Sequence, residues 1–181
     1  MIYHFSLHTV GLIVGGLLAG LSLLAFVPQL RARLPFFPRS RTAGAALLTI
    51  DLVWCLWLLA TMEMGEFSNF RRPLLIILPV GYFLVLKYVD EFLAVRALGI
   101  LCLLAAEPML DAAFLRPEMS RLLVTVFAYL LIVAGLFWVT MPYLLRDWIN
   151  WCARHGARWG FVSALGVIFG LAILVCAAVA Y

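Results

Sequence analysis

Residues 5–27 read FSLHTVGLIVGGLLAGLSLLAFV, 23 positions without an Asp, Glu, Lys or Arg. Wound as a helix, such a run reaches about 35 Å, enough to cross the roughly 30 Å hydrocarbon core of a bilayer. No cation precedes it, whereas Arg31, Arg33, Arg39 and Arg41 follow it. A secretory leader has the opposite charge order and a shorter apolar region, so the run reads as a retained membrane helix with its N-terminus outside.

The rest of the chain repeats this pattern. Further apolar runs occupy about 43–62, 73–89, 92–114, 117–143 and 159–180. Pro73 suits the first turn of the third run, and Pro79 with Gly81 predicts a kink inside it. That run is short, which leaves open a re-entrant pairing with the fourth in place of two full crossings. Composition points the same way: of 181 residues, 66% are hydrophobic and 12% charged, with a mean hydropathy of +1.11. Soluble domains hold about 45–50% and about 25% of these classes, and a chain this short exposes too much surface to hide the excess in a globular core. The expected fold is an all-α integral membrane protein, one domain over 1–181, with six transmembrane helices and short loops in the bacterial style. A bacterial inner membrane is the expected location.

Cations give the sidedness. With the N-terminus outside, nine fall at inner ends and loops (Arg31, Arg33, Arg39, Arg41, Lys87, Arg96, Arg146, Arg154 and Arg158) and four outside (Arg71, Arg72, Arg116 and Arg121). Cytoplasmic loops collect Lys and Arg, so both termini are expected outside, and the net charge of +4 needs no nucleic-acid partner to explain it. Between the fifth and sixth runs, residues 143–158 read YLLRDWINWCARHGAR. Leu144, Leu145, Trp148, Ile149, Trp151 and Cys152 share one helical face opposite charged residues. That pattern predicts a short amphipathic helix at the inner interface, with Trp148, Trp151 and Trp159 at headgroup level as an anchor or as a binder of anionic lipid.

Small residues recur at four-residue spacing at Gly11–Gly15, Gly16–Gly20, Gly156–Gly160 and Gly166–Gly170. In lipid such spacing lets helix backbones approach closely, within the chain or between copies. Ionisable residues inside the runs are costly and need partners. Asp51 lies about 12 Å and Arg96 about 6 Å from the inner ends of their helices, which predicts an ion pair between the second and fourth spans. Glu107 and Asp111 share a face with Arg96, beside a helix break expected at Pro108. Two neighbouring carboxylates repel unless a cation compensates, and Arg121 or Arg116 is placed to do so. Lys87 is within helical reach of Asp90 or Glu91.

Catalytic and cofactor chemistry has little footing. Cys55, Cys102, Cys152 and Cys176 lack C-x-x-C spacing, so neither a disulfide nor a zinc site is read. His4 and His8 are four apart without a third ligand at their depth, so neither metal nor haem is expected. No Ser-His-Asp order, H-E-x-x-H, P-loop or G-x-G-x-x-G occurs. Pro28-Gln-Leu-Arg and Pro142-Tyr-Leu-Leu-Arg follow two of the runs, a match too short to mark a duplication. The leading expectation is a non-enzymatic accessory or interaction subunit without a cofactor, its buried charges fixing helix register. Its partners would be membrane lipid and other membrane subunits or a second copy. The alternative is a small proton- or cation-coupled transporter or channel using Glu107 and Asp111.

In a cysteine-free background, a single cysteine at Ser40 should react with an impermeant maleimide only from the inner side, and one at Ser68 only from the outer side. Outer labelling at Ser40 inverts the topology.

Overall fold

The computed structural model describes residues 5–89 and 91–180. His4 and Asp90 therefore lie outside the described residues. The described chain is all helical: α1 Leu7–Leu24, α2 Pro28–Arg33, α3 Arg41–Thr61, α4 Arg71–Tyr88, α5 Leu93–Ala113, α6 Arg121–Thr140, α7 Tyr143–Arg154 and α8 Gly156–Ala180. Short 3-10 segments occupy Leu34–Arg39 and Gly65–Phe70. Six of the helices, α1, α3, α4, α5, α6 and α8, are long and apolar enough to cross a membrane.

Local chemistry sets the ends. Ser6 and Ser40 stand outside the helical region, and their hydroxyls accept from the Thr9 and Ala43 amides at 3.1 and 3.3 Å. Each satisfies a donor that the first helical turn leaves free. Pro28 opens α2, where its missing N–H costs nothing. This helix and the 3-10 segment after it give structure to a stretch that reads as a plain basic loop. Helix α4 begins at Arg71, two residues before Pro73, and is continuous through Pro79. With the 3-10 segment before it, the apolar span over α4 covers Gly65–Tyr88, and α5 forms a separate span over Leu93–Ala113. Phe92, at φ +55°, reverses the chain between α4 and α5. An αL conformation is costly for a bulky residue. Its ring is held against Val95, Leu145 and Ile149, with the Arg146 guanidinium 5.5 Å from its centre.

Packing follows the glycines. On α1 and α8, a Cβ at Gly15 would stand 2.9 Å from the Gly170 carbonyl oxygen, and one at Gly170 would stand 2.6 Å from the Ala19 nitrogen. Helices α5 and α6 meet reciprocally: a Cβ at Gly99 would lie 2.9 Å from the Gly135 carbonyl oxygen, and one at Gly135 would lie 2.8 Å from that of Gly99. Gly44 on α3 touches the start of α5 at Leu93 and Ala94. Thus the Gly166–Gly170 spacing serves packing within the chain, while Gly16, Gly20 and Gly160 face open space. Between the tight pairs, Val10 and Val14 of α1, Ala106 and Met109 of α5, Val124 and Ala128 of α6 and Ile173 of α8 share a core.

Helix α4 is peripheral. Among the described residues it buries none, and it is tied to α3 by the Thr49–Tyr82 hydroxyl contact at 2.8 Å and by Arg41 donating to the Leu86 carbonyl at 3.0 Å. Helix α7 turns Leu145, Ile149 and Cys152 inward, onto the 3-10 segment and the start of α5. The predicted apolar face is therefore divided, with Leu144, Trp148 and Trp151 on its exposed side.

Gly99→Ala should force α5 and α6 apart and cost about 1–3 kcal/mol in detergent unfolding, as overpacking does, whereas Gly16→Ala should leave stability unchanged or slightly raised. Equal melting temperatures for the two variants would contradict this packing.

Candidate functional site

Asp51 lies in the middle of α3 and is only 2% exposed. Seven residues separate it from Gly44, close to two full turns, so it shares the face that Gly44 turns to α5. Cys55, one turn on, and Cys102 of α5 lie within electrostatic range of its carboxylate. Neither carboxylate oxygen has a hydrogen-bond partner among the described residues.

The expected Asp51–Arg96 pair is not formed: Arg96 is exposed. Its depth is suitable, but its face is not. Ala94 meets Gly44, and Arg96 stands about 200° further round the helix at about 100° per residue. The contact is also too close to pass an arginine, since a Cβ at Gly44 would already lie 2.7 Å from the Ala94 nitrogen.

Glu107 and Asp111 do share a surface, as their spacing predicts. They line a cavity of about 1130 Å³ together with Glu63 at the end of α3, Ala106 and Leu110 of α5 and Ile132 of α6. Among the described residues no ion pair engages these three carboxylates. Arg121 does not compensate them; its Nη1 donates to the Ala113 carbonyl oxygen at 3.3 Å. Arg71 likewise donates to the Met62 carbonyl. Both guanidiniums thus cap helix C-termini, where orphan carbonyls and the helix dipole favour a cation. Arg116 is exposed in the connection. Pro108 sits inside an α5 that continues to Ala113, so it removes one backbone donor without ending the helix.

The cavity and the buried acid lie on successive stretches of the same two helices, α3 and α5. Cys102, within electrostatic range of Asp51, lies one turn below Ala106 of the cavity wall, about 6 Å along α5. Among the described residues, the end of the molecule that carries the cavity holds Glu63, Glu66, Glu107, Asp111 and Glu118 against four arginines; the end with α2 and α7 holds nine cations against Glu91 and Asp147. Glu63 is the member that the sequence reading missed. It stands outside the apolar runs, and only the extent of α3 brings it to the cavity.

At the basic end, Arg146 pairs with adjacent Asp147 at 2.7 Å, an exposed contact worth little. Trp148 and Trp151 are about half exposed, and the Arg158 guanidinium stacks 4.5 Å from the Trp151 ring centre. Trp159 instead donates through Nε1 to the Ala25 carbonyl oxygen at 2.7 Å, joining α8 to the end of α1. Burial pushes the Cys152 thiol up despite Arg158 nearby. Lys87 lies over the Tyr88 ring, 5.4 Å from its centre; of its two expected partners Asp90 falls outside the described residues, and no ion pair joins it to Glu91 among them. His8 is exposed, and no group of three His, Cys, Asp or Glu converges on a metal position among the described residues. All four cysteines are free.

No family model, curated protein or solved structure matches the chain.

Because Asp51 and Arg96 do not touch, their coupling in a double-mutant cycle of Asp51→Asn and Arg96→Gln should fall below about 0.5 kcal/mol. A coupling of several kcal/mol in detergent unfolding would restore the ion pair.

Proposed function

We propose that the chain is a small multi-pass membrane transporter that takes a proton or a small cation through the acidic cavity to Asp51. One observation carries this reading: a carboxylate in the middle of a spanning helix has no partner within the described chain. An ionised group there is costly until something compensates it. At 2% exposure, Asp51 has no room beside it for an arginine from another chain, so a compensating group has to be as small as a proton or a stripped cation. The acids of the cavity wall add support, because a mouth lined by one sign of charge concentrates the opposite ion.

Nine cations against four orient the protein with both termini and the cavity on the outer side of a bacterial inner membrane. Uptake then begins outside and passes Glu63, Asp111 and Glu107 before reaching the α3–α5 contact. Gating needs a change at that contact, where Gly44 and Ala94 are packed most closely. A non-enzymatic accessory subunit is the second reading, favoured by α4, which buries no described residue and offers its whole length to another membrane chain.

Reconstituted in vesicles with an internal pH or cation indicator, the protein should carry a flux that Asp51→Asn abolishes without unfolding and Asp51→Glu partly keeps. Glu107→Gln should slow it by roughly two- to fivefold, as loss of one steering charge does. Wild-type flux at background, or an undiminished flux in Asp51→Asn, overturns the proposal; a second chain co-purifying in fixed stoichiometry from native membranes would favour the subunit.

A further inference from the structure

The turn from α1 into α2 and the turn from α7 into α8 meet at the basic end, and between them lies a cavity of about 540 Å³. Its polar side is positive. The Arg31 guanidinium reaches in from α2, with Nη2 donating to the Ala153 carbonyl oxygen at 3.0 Å. Its Nη1 points at the first residue of α8, 3.6 Å from where a Cβ on Gly156 would stand. A helix start is the positive end of its dipole and presents backbone donors that the helix itself does not use. One edge of the guanidinium serves the C-terminal carbonyl of α7, and its other edge faces this second positive group. Yet among the described residues lining the cavity there is no carboxylate to offset the two.

The remaining wall is apolar: Phe26, Pro28, Pro35 and the Trp159 ring, which the Ala25 carbonyl holds in place and over which Arg31 sits at 5.9 Å. An anionic head with an apolar body matches this division of the wall. The geometry points to a binding site for one anionic phospholipid, its phosphate held between Arg31 and the start of α8 and its glycerol and acyl chains laid against Phe26 and Trp159. Cavities of this size hold small ligands. Arg33, Arg154 and Arg158, exposed and each next in sequence to a lining residue, add the positive charge that draws such a lipid from a mixed leaflet. Trp148 and Trp151, half exposed on the adjoining α7, fit the same headgroup level. This inference does not depend on the transport reading.

Native mass spectrometry of the full-length protein in detergent, titrated with phosphatidylglycerol and separately with phosphatidylcholine, tests it. One phosphatidylglycerol should be retained in preference to phosphatidylcholine. Arg31→Gln should weaken that binding roughly tenfold, the usual cost of losing a charge-assisted hydrogen bond. Gly160→Leu should block the cavity while leaving Arg31 in place, because a side chain there meets nothing within 4 Å; it carries the test should Arg31→Gln fail to fold. Arg39→Gln, exposed and outside the cavity, should change nothing. Binding unaltered by Arg31→Gln and Gly160→Leu, equal loss in Arg39→Gln, or displacement of the retained lipid by added inorganic phosphate each overturns the assignment.

Discussion

Everything in this bundle rests on helices touching backbone to backbone. In lipid, apolar side chains gain nothing by leaving their solvent, so association depends on dense contact and local polar bonds. The chain meets that requirement at Gly15 against Gly170, at Gly99 against Gly135 and at Gly44 against Ala94. Where no such contact exists the helix is peripheral. Gly81 of α4 has open space around it, and two polar contacts tether that helix to α3.

Close approach also decides where the charges go. Interfaces of glycine and alanine have no room for an arginine, so cations are displaced to the helix ends. Arg71 and Arg121 bond the terminal carbonyls of α3 and α5, and Arg31 bonds that of Ala153. Each stabilises a terminus that would otherwise leave acceptors unpaired. The carboxylates are left behind. Glu63, Glu107 and Asp111 collect at a cavity wall, and Asp51 is shut between α3 and α5 without a partner among the described residues. A bundle that pairs its buried charges would hold its register electrostatically; this one holds it by packing and leaves a buried acid unused. That imbalance is what favours transport over scaffolding in the proposed function.

The two ends therefore differ in character as well as in charge. One is open and acidic, with a cavity walled by the end of α3, the second half of α5 and the middle of α6. The other is layered, because the 3-10 segment, through Leu34 and Phe37, and α7, through Leu145 and Ile149, pack on Val95 of α5. Anchoring and lipid contact suit the layered end, ion entry the open one. Their separation lets one change without disturbing the other.

The number and type of the spanning elements were legible in the sequence, because a run of some 20 apolar residues is consistent with little but a helix in a bilayer. All six runs became long apolar helices, with ends shifted by a few residues, and the amphipathic stretch became α7. Four-residue spacing put Glu107 and Asp111 on one face, and the structure keeps them there. The partners of those residues were not legible. Depth along a helix follows from counting, but the face it turns to a neighbour depends on the crossing point, and here the crossings are set by single glycines, Gly44, Gly99 and Gly135, that carry no four-residue signature. Depth alone matched Arg96 to Asp51; the position of Gly44 against Ala94 turned Arg96 away. Glu63 joined the cavity, and Arg31 reached α7, across separations that only packing closes. Local periodicity determined what each segment is, whereas the tertiary contacts decided which charges meet, since a rotation of a third of a turn costs the sequence pattern nothing and moves a side chain from an interface to the outside.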